Sequence, residues 1–109
     1  MTISSNQING SIPLEIGNMK NLRKLNLRNN KLVGSIPSSL GYLINLDLLS
    51  LSSNQISGSI PLETGNLKNL TCLSLDNNKL AGLIPSSQRH LTNLTLLSVS
   101  SNQINGSLP

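Results

Sequence analysis

An interval of 24 residues governs this chain. Asn6, Asn30, Asn54, Asn78 and Asn102 recur at that spacing; four residues after each comes Gly10, Gly34, Gly58, Gly82 or Gly106, and seven residues after each comes Pro13, Pro37, Pro61, Pro85 or Pro109. A period of this length marks a solenoid, because one such unit cannot bury its apolar face alone and does so by stacking on the next. The shape of the molecule follows from that. The identity of a ligand does not.

Composition supports many thin layers rather than one globular core. Apolar residues make up 37% of the 109, yet Tyr42 is the one aromatic, so Leu and Ile must fill the interior. The formal charge of +4 is local, since five of the eight basic residues are Lys20, Arg23, Lys24, Arg28 and Lys31. No aromatics interleave with them, which argues against single-stranded nucleic acid as a partner and for a solvated basic edge. One cysteine, Cys72, excludes an internal disulfide framework. No apolar run is long enough to span a membrane, and the first residues lack a signal region.

Within one unit, residues 22–45, Leu25 and Leu27 alternate with polar neighbours, the pattern of a short strand. The same pairs recur as Leu49 and Leu51, Leu73 and Leu75, and Leu97 and Val99. Strands met once per turn lie parallel, with leucines inward and polar residues on a concave face. An asparagine fixed between two inward leucines also points in, so Asn6, Asn30, Asn54, Asn78 and Asn102 are expected to bond backbone groups of their own and neighbouring turns. The glycines relieve the following turn and the prolines fix its return. The outer segment, such as 38–45, is too short and too rich in Ser and Gly for a full α-helix; 3₁₀ turns or extended pieces are expected. Gln88, Arg89 and His90 replace more regular residues there, and local looseness is expected around them.

The run Leu-x-x-Leu-x-Leu-x-x-Asn-x-Leu-x-Gly-x-Ile-Pro, complete at 22–37 and repeated from Leu46 and Leu70 with Ile56 as a conservative change, resembles the plant-specific leucine-rich repeat. The copy from Leu94 keeps the pattern with Val99, Ile104 and Leu108. The resemblance implies an α/β-type repeat solenoid with a parallel concave sheet, a convex side of 3₁₀ or extended turns, and little α-helix. The expected organisation is a single domain over 1–109: a half repeat 1–21, full repeats 22–45, 46–69 and 70–93, and a partial repeat 94–109, without caps. Similar proteins are ectodomains of plant receptor-like kinases and receptor-like proteins, and secreted inhibitors of cell-wall hydrolases. The resemblance therefore implies a protein- or peptide-binding module on the outer side of the plasma membrane or in the apoplast, with a peptide or protein ligand and, for a receptor, a co-receptor. Cap cysteines, signal peptide, membrane span and kinase domain of that family are not in these residues, so a piece of a longer chain is the expected reading. The alternatives are a free-standing binder, either a hydrolase inhibitor or an intracellular scaffold, and, more remotely, an ice-binding surface suggested by the repeated Ser, Asn and Thr.

A longer repeat overlies the first. Residues 4–18 nearly recur at 52–66, so Gln7, Lys31, Gln55, Lys79 and Gln103 alternate along one edge. Recent duplication suffices to explain it.

The register of the strands sorts outward residues into columns. Arg23, Asp47, Thr71 and Thr95 form one; Lys24, Leu48, Cys72 and Leu96 the next; Asn26, Ser50, Ser74 and Ser98 a third; and Ser4, Arg28, Ser52, Asp76 and Ser100 a fourth. The expected concave binding residues are Arg23, Lys24, Arg28, Leu48, Ser50, Cys72, Ser74, Asp76, Leu96 and Ser98. In this reading an extended peptide crosses the strands over an apolar floor of Leu48, Cys72 and Leu96. Serine hydroxyls offer it hydrogen bonds, and the three cations attract its acidic end.

Asn-x-Ser/Thr at Asn9, Asn69, Asn93 and Asn105 gives glycosylation candidates in a secreted protein, although Asn69 and Asn93 also occupy a repeated turn position with Asn21 and Asn45. Catalysis is not expected. His90 falls on the outer segment and Cys72 on the concave face, so no nucleophile meets a base. Glu15 and Glu63 stand two turns apart, about 10 Å, too far for a close carboxylate pair. Neither a metal cluster nor a phosphate loop is present, and no cofactor is expected.

Overall fold

A computed structural model of the chain describes residues 9–83 and 93–105, with side chains described for 10–82 and 93–102. The inward leucines place four short strands side by side: β2 (Lys24–Asn26), β4 (Leu48–Ser50), β6 (Cys72–Ser74) and β8 (Leu96–Ser98). They pair in parallel, in the order β2-β4-β6-β8, with Leu25, Leu49, Leu73 and Leu97 in register. Each strand is short because the chain must turn after the second leucine. That turn is made by a residue in the left-handed region, Asn29, Ser53, Asn77 or Ser101, at φ of 57–59°. Asn tolerates this conformation better than Ser does, so alternate repeats fit it unequally.

The next residue of each turn is the periodic asparagine, which ties two turns together. Asn54 Nδ2 donates to Leu51 O and Ser52 O at 3.0 and 3.2 Å and to Leu27 O of the preceding turn at 3.0 Å. Its Oδ1 accepts the Leu32 N–H at 3.1 Å. Asn78 repeats the arrangement on Leu51, Leu75, Asp76 and Ile56, and Asn102 on Leu75, Val99, Ser100 and Leu80. Asn30 donates to Leu27 O and Arg28 O. Asn6 lies outside the described residues. These amides are buried, or half-buried at Asn102, where unmade hydrogen bonds would be costly.

Beyond the asparagines the chain enters a second set of strands that the leucine spacing does not predict. β1 (Asn9–Gly10) pairs with β3 (Lys31–Leu32), and β5 (Ser57–Gly58), β7 (Lys79–Leu83) and β9 (Gln103–Asn105) form a parallel three-stranded sheet. A bridge from Ser35 to Ser57 joins the two groups. Partners here are offset by 22 residues, as in Ser57 with Lys79, rather than the 24 of the concave sheet. Gly34, Gly58 and Gly82, at or near the ends of these strands, take φ of 79–89°, which glycine adopts without strain.

The prolines then start three 3₁₀ turns on the convex side: η1 (Leu14–Asn18), η2 (Ser38–Tyr42) and η3 (Leu62–Asn66). Leu40 is fully buried; its successor Thr64 is also buried and donates its hydroxyl to Pro61 O at 2.8 Å, which makes a polar residue acceptable there. Residues 88–90, where looseness is expected, lie outside the described residues. The core is a stack of leucines and isoleucines between the concave sheet and the 3₁₀ turns, continuous from Ile12 to Leu80.

Candidate functional site

The concave sheet puts the expected columns side by side. Lys24, Leu48, Cys72 and Leu96 are direct register partners, as are Asn26, Ser50, Ser74 and Ser98. Neighbouring strands stand about 5 Å apart, so each column is a continuous row. Lys24 is exposed, Leu48 and Cys72 are half-buried, and Leu96 is 53% exposed. A strip with one cation followed by three apolar or soft side chains therefore opens to solvent. Cys72 carries a free thiol.

The hydroxyl row differs from its sequence expectation. Ser50 is buried, with 9% of its surface exposed, so it offers a ligand little area. A small side chain on a concave surface is overhung by its neighbours. The Ser74 hydroxyl lies 2.5 Å from that of Ser52, and the Ser98 hydroxyl donates to Asp76 Oδ2. With its one proton given to a carboxylate, Ser98 can offer a ligand only lone pairs.

Asp76 replaces the serine of its column and organises what surrounds it. Besides Ser98, its carboxylate accepts the Ser100 N–H at 2.6 Å and the Ser100 hydroxyl at 3.0 Å. Burial pushes the Asp76 carboxyl up, but the bonds from Ser98 and Ser100 outweigh it and hold it below the usual 3.8. The group is thus anionic and already engaged within the sheet.

Arg23 and Asp47 meet across the first strands at 3.9 Å, with the arginine 77% exposed. Such a pair contributes about 0.2–1 kcal/mol, so the guanidinium is readily redirected to another anion. Arg28 is also exposed, and its backbone N–H is held by Asn26 Oδ1 at 3.2 Å. The hydroxyls of Thr71 and Thr95 donate to the backbone carbonyls of Asp47 and Thr71.

Two clefts flank the edge where the convex turns lead into the strands. One, of about 470 Å³, is lined by Asn21, Arg23, Asn45, Asp47 and Asn69. The other, of about 440 Å³, is lined by Lys20, Asn21, Gly41, Tyr42, Ile44, Asn45 and Asn66. The amides of Asn45, Asn69 and Asn93 donate to the carbonyls of Lys20, Ile44 and Lys68 respectively at 3.1–3.2 Å. Asn69 and Asn93 therefore hold their turns while remaining exposed. Asn9 and Asn105 stand in β1 and β9; their side chains, like His90, lie outside the described residues. Sequence reasoning missed the Tyr42 cleft, although the lone aromatic signalled it. Among the described residues no group of three His, Cys, Asp or Glu is placed to hold a metal ion, and no helix is long and apolar enough to cross a membrane.

The Leucine Rich Repeat family model matches residues 21–43, 45–67 and 69–91. No curated protein matches the chain significantly. Among solved structures, the chain is similar to the ectodomain of the plant membrane receptor kinase GASSHO1/SCHENGEN3 from Arabidopsis thaliana, solved in complex with CASPARIAN STRIP INTEGRITY FACTOR 2. Identity is 41% and the TM-score 0.92, over 100% of this chain and 13% of that one. It is similar to the Arabidopsis receptor kinase HAESA, solved with the peptide hormone IDA and the co-receptor SERK1, at 45% identity and a TM-score of 0.94, over 98% of this chain and 18% of that one. It is also similar to a plant ice-binding protein, at 33% identity and a TM-score of 0.87, over 94% of this chain and 33% of that one. The chain thus spans less than a fifth of the two receptor chains.

Proposed function

Since the chain belongs to the leucine-rich repeat family, we propose that it is a recognition module of the plant receptor-ectodomain type, binding an extracellular peptide or protein through its concave sheet. The observation that carries this reading is the register of Lys24 with Leu48, Cys72 and Leu96. An extended ligand laid across the strands meets one of these side chains about every 5 Å. Its apolar residues lie on the Leu48–Cys72–Leu96 floor. Its acidic end meets Arg23, Lys24 and Arg28. HAESA, one of the receptor kinases to which this chain is similar, was solved with a peptide hormone, which supports ligand class without naming the ligand. The role is binding rather than catalysis, and a kinase elsewhere in a parent protein is compatible with it.

Selection of displayed random peptides on the purified chain tests the reading. Selected peptides are expected to combine aliphatic residues with an acidic end. Leu48→Glu with Leu96→Glu should abolish their binding, and Arg23→Glu with Arg28→Glu should weaken it about tenfold at low salt. Peptides that bind equally well to all these variants do not use the concave face, and the reading then fails.

A second reading rests on the similarity to a plant ice-binding protein. The repeated Ser, Asn and Thr give it chemical sense; the exposed Leu96 and the cations at Arg23, Lys24 and Arg28 interrupt a regular polar array. An ice-recrystallisation assay separates the two. Unchanged crystal growth removes the ice reading and leaves the first intact.

A further inference from the structure

The first full turn, residues 22–45, breaks the repeat on its outer edge. At the place of Tyr42 the turns before and after carry Asn18 and Asn66; at the place of Ile44 they carry Lys20 and Lys68. Tyr42 is 65% exposed and Ile44 57%. Lack of a neighbour does not cause this exposure, because η2 packs against both η1 and η3. The Tyr42 ring leans back over the preceding turn: a Cβ built on Gly17 would stand 3.2 Å from Tyr42 Cδ2. The 440 Å³ cleft is therefore lined by the apolar Tyr42 and Ile44 and by Gly41 of this turn, together with Lys20 of the preceding one. Sharing Asn21 and Asn45, this cleft adjoins the polar one, which Arg23, its ion-pair partner Asp47 and Asn69 also line. Glu15 and Glu63 begin their own 3₁₀ turns and do not line it.

We propose that this edge groove, separate from the concave floor, docks an acidic segment of a partner protein. An aliphatic side chain of that segment seats between Tyr42 and Ile44, and its carboxylates reach Lys20 and Lys68. The apolar pair supplies an anchor of the kind that dominates interface energetics, and the flanking lysines fix sign and register. A second copy of this chain fits poorly: it carries +4 overall and only four acidic residues, Glu15, Asp47, Glu63 and Asp76, no two of them close in sequence.

The test uses two capped pentapeptides, Asp-Glu-Leu-Asp-Glu and its uncharged counterpart Asn-Gln-Leu-Asn-Gln, titrated into isotope-labelled chain and followed by NMR. The acidic peptide should shift the Tyr42 ring, Ile44 methyl and Gly41 amide signals, with an affinity about fivefold or more above the neutral one and reduced by salt. Tyr42→Asn with Ile44→Gln installs the residue that both adjacent turns hold at the first position and adds no charge at the second, exposed one, so the fold is kept. It should weaken binding about tenfold and leave the Leu48 and Leu96 methyl signals in place. Equal response to both peptides overturns the proposal. So does a response confined to Leu48, Leu96 and the concave cations, which would support the concave reading alone. Concentration-dependent shifts at Tyr42 without peptide would assign the groove to a second copy instead.

Discussion

At the scale of single residues, the periodic asparagine does what no other side chain could. Asn54 gives its two N–H protons to three carbonyls and takes one backbone N–H on its oxygen, so donor and acceptor must both be present. Asn54→Ala should destabilise the chain by about 1–3 kcal/mol in denaturant melts, because the freed backbone groups stay buried. Asn54→Asp should cost more, since a carboxylate would face Leu27 O, Leu51 O and Ser52 O with no proton to offer. Equal melts for wild type and both variants would contradict the role of this amide. Asp76 adds a pH dependence. Its folded pKa lies below 3.8, so the stabilisation is present above the unfolded value and disappears as pH falls through the folded one. Unfolding free energy measured from pH about 5 down to about 2 should fall less steeply for Asp76→Asn than for wild type. Coincident slopes would mean that the Ser98 and Ser100 bonds add nothing.

At the scale of elements, the two faces of the coil differ in how they were legible. Leu25, Leu27 and Asn30 repeat because their side chains face the core, so the concave strands and the asparagine positions can be read directly from spacing. The second sheet cannot. Lys31–Leu32 and Ser57–Gly58 show no alternation; they pair because the turn after each asparagine brings backbone beside backbone. Spacing also placed Ser50 on the outward face, but not the overhang that buries it. Stacking of the 3₁₀ turns depends on absent side chains. A Cβ at Gly41 would meet Glu63 O at 2.7 Å and Glu63 Cβ at 2.8 Å, and a carbonyl in the adjoining turn cannot swing aside as a side-chain tip can. Gly41→Ala should therefore cost about 1–3 kcal/mol and shift amide signals across η2 and η3, while the strand signals of Leu73 and Ser74 stay put. A variant as stable as wild type would show that the turns can part without loss.

At the scale of the molecule, every contact between described elements joins one turn to the next, so stability should behave as a chain of nearest-neighbour terms. Leu49, Leu51, Leu73 and Leu75 are at most 1% exposed, whereas Leu97 and Val99 are only half-buried against the same core. The amides of Leu51 and Leu96 are both hydrogen-bonded, to Ser74 O and Thr71 O, so a difference in their hydrogen exchange reports packing of their turns rather than the bond itself. In the 109-residue chain, Leu51 should exchange about tenfold or more slowly than Leu96. Leu49→Ala, which removes a fully buried side chain at a cost of about 2–5 kcal/mol, should then lower protection most in β2, β4 and β6 and least in β8. Equal loss in all four strands would mean that the coil opens as one unit. A graded loss would mean that recognition at one turn does not require every other turn to be closed. A ligand spanning Leu48 to Leu96 would then stabilise the turns it crosses beyond those it leaves bare, and the same exchange measurement with bound peptide would show which turns it covers.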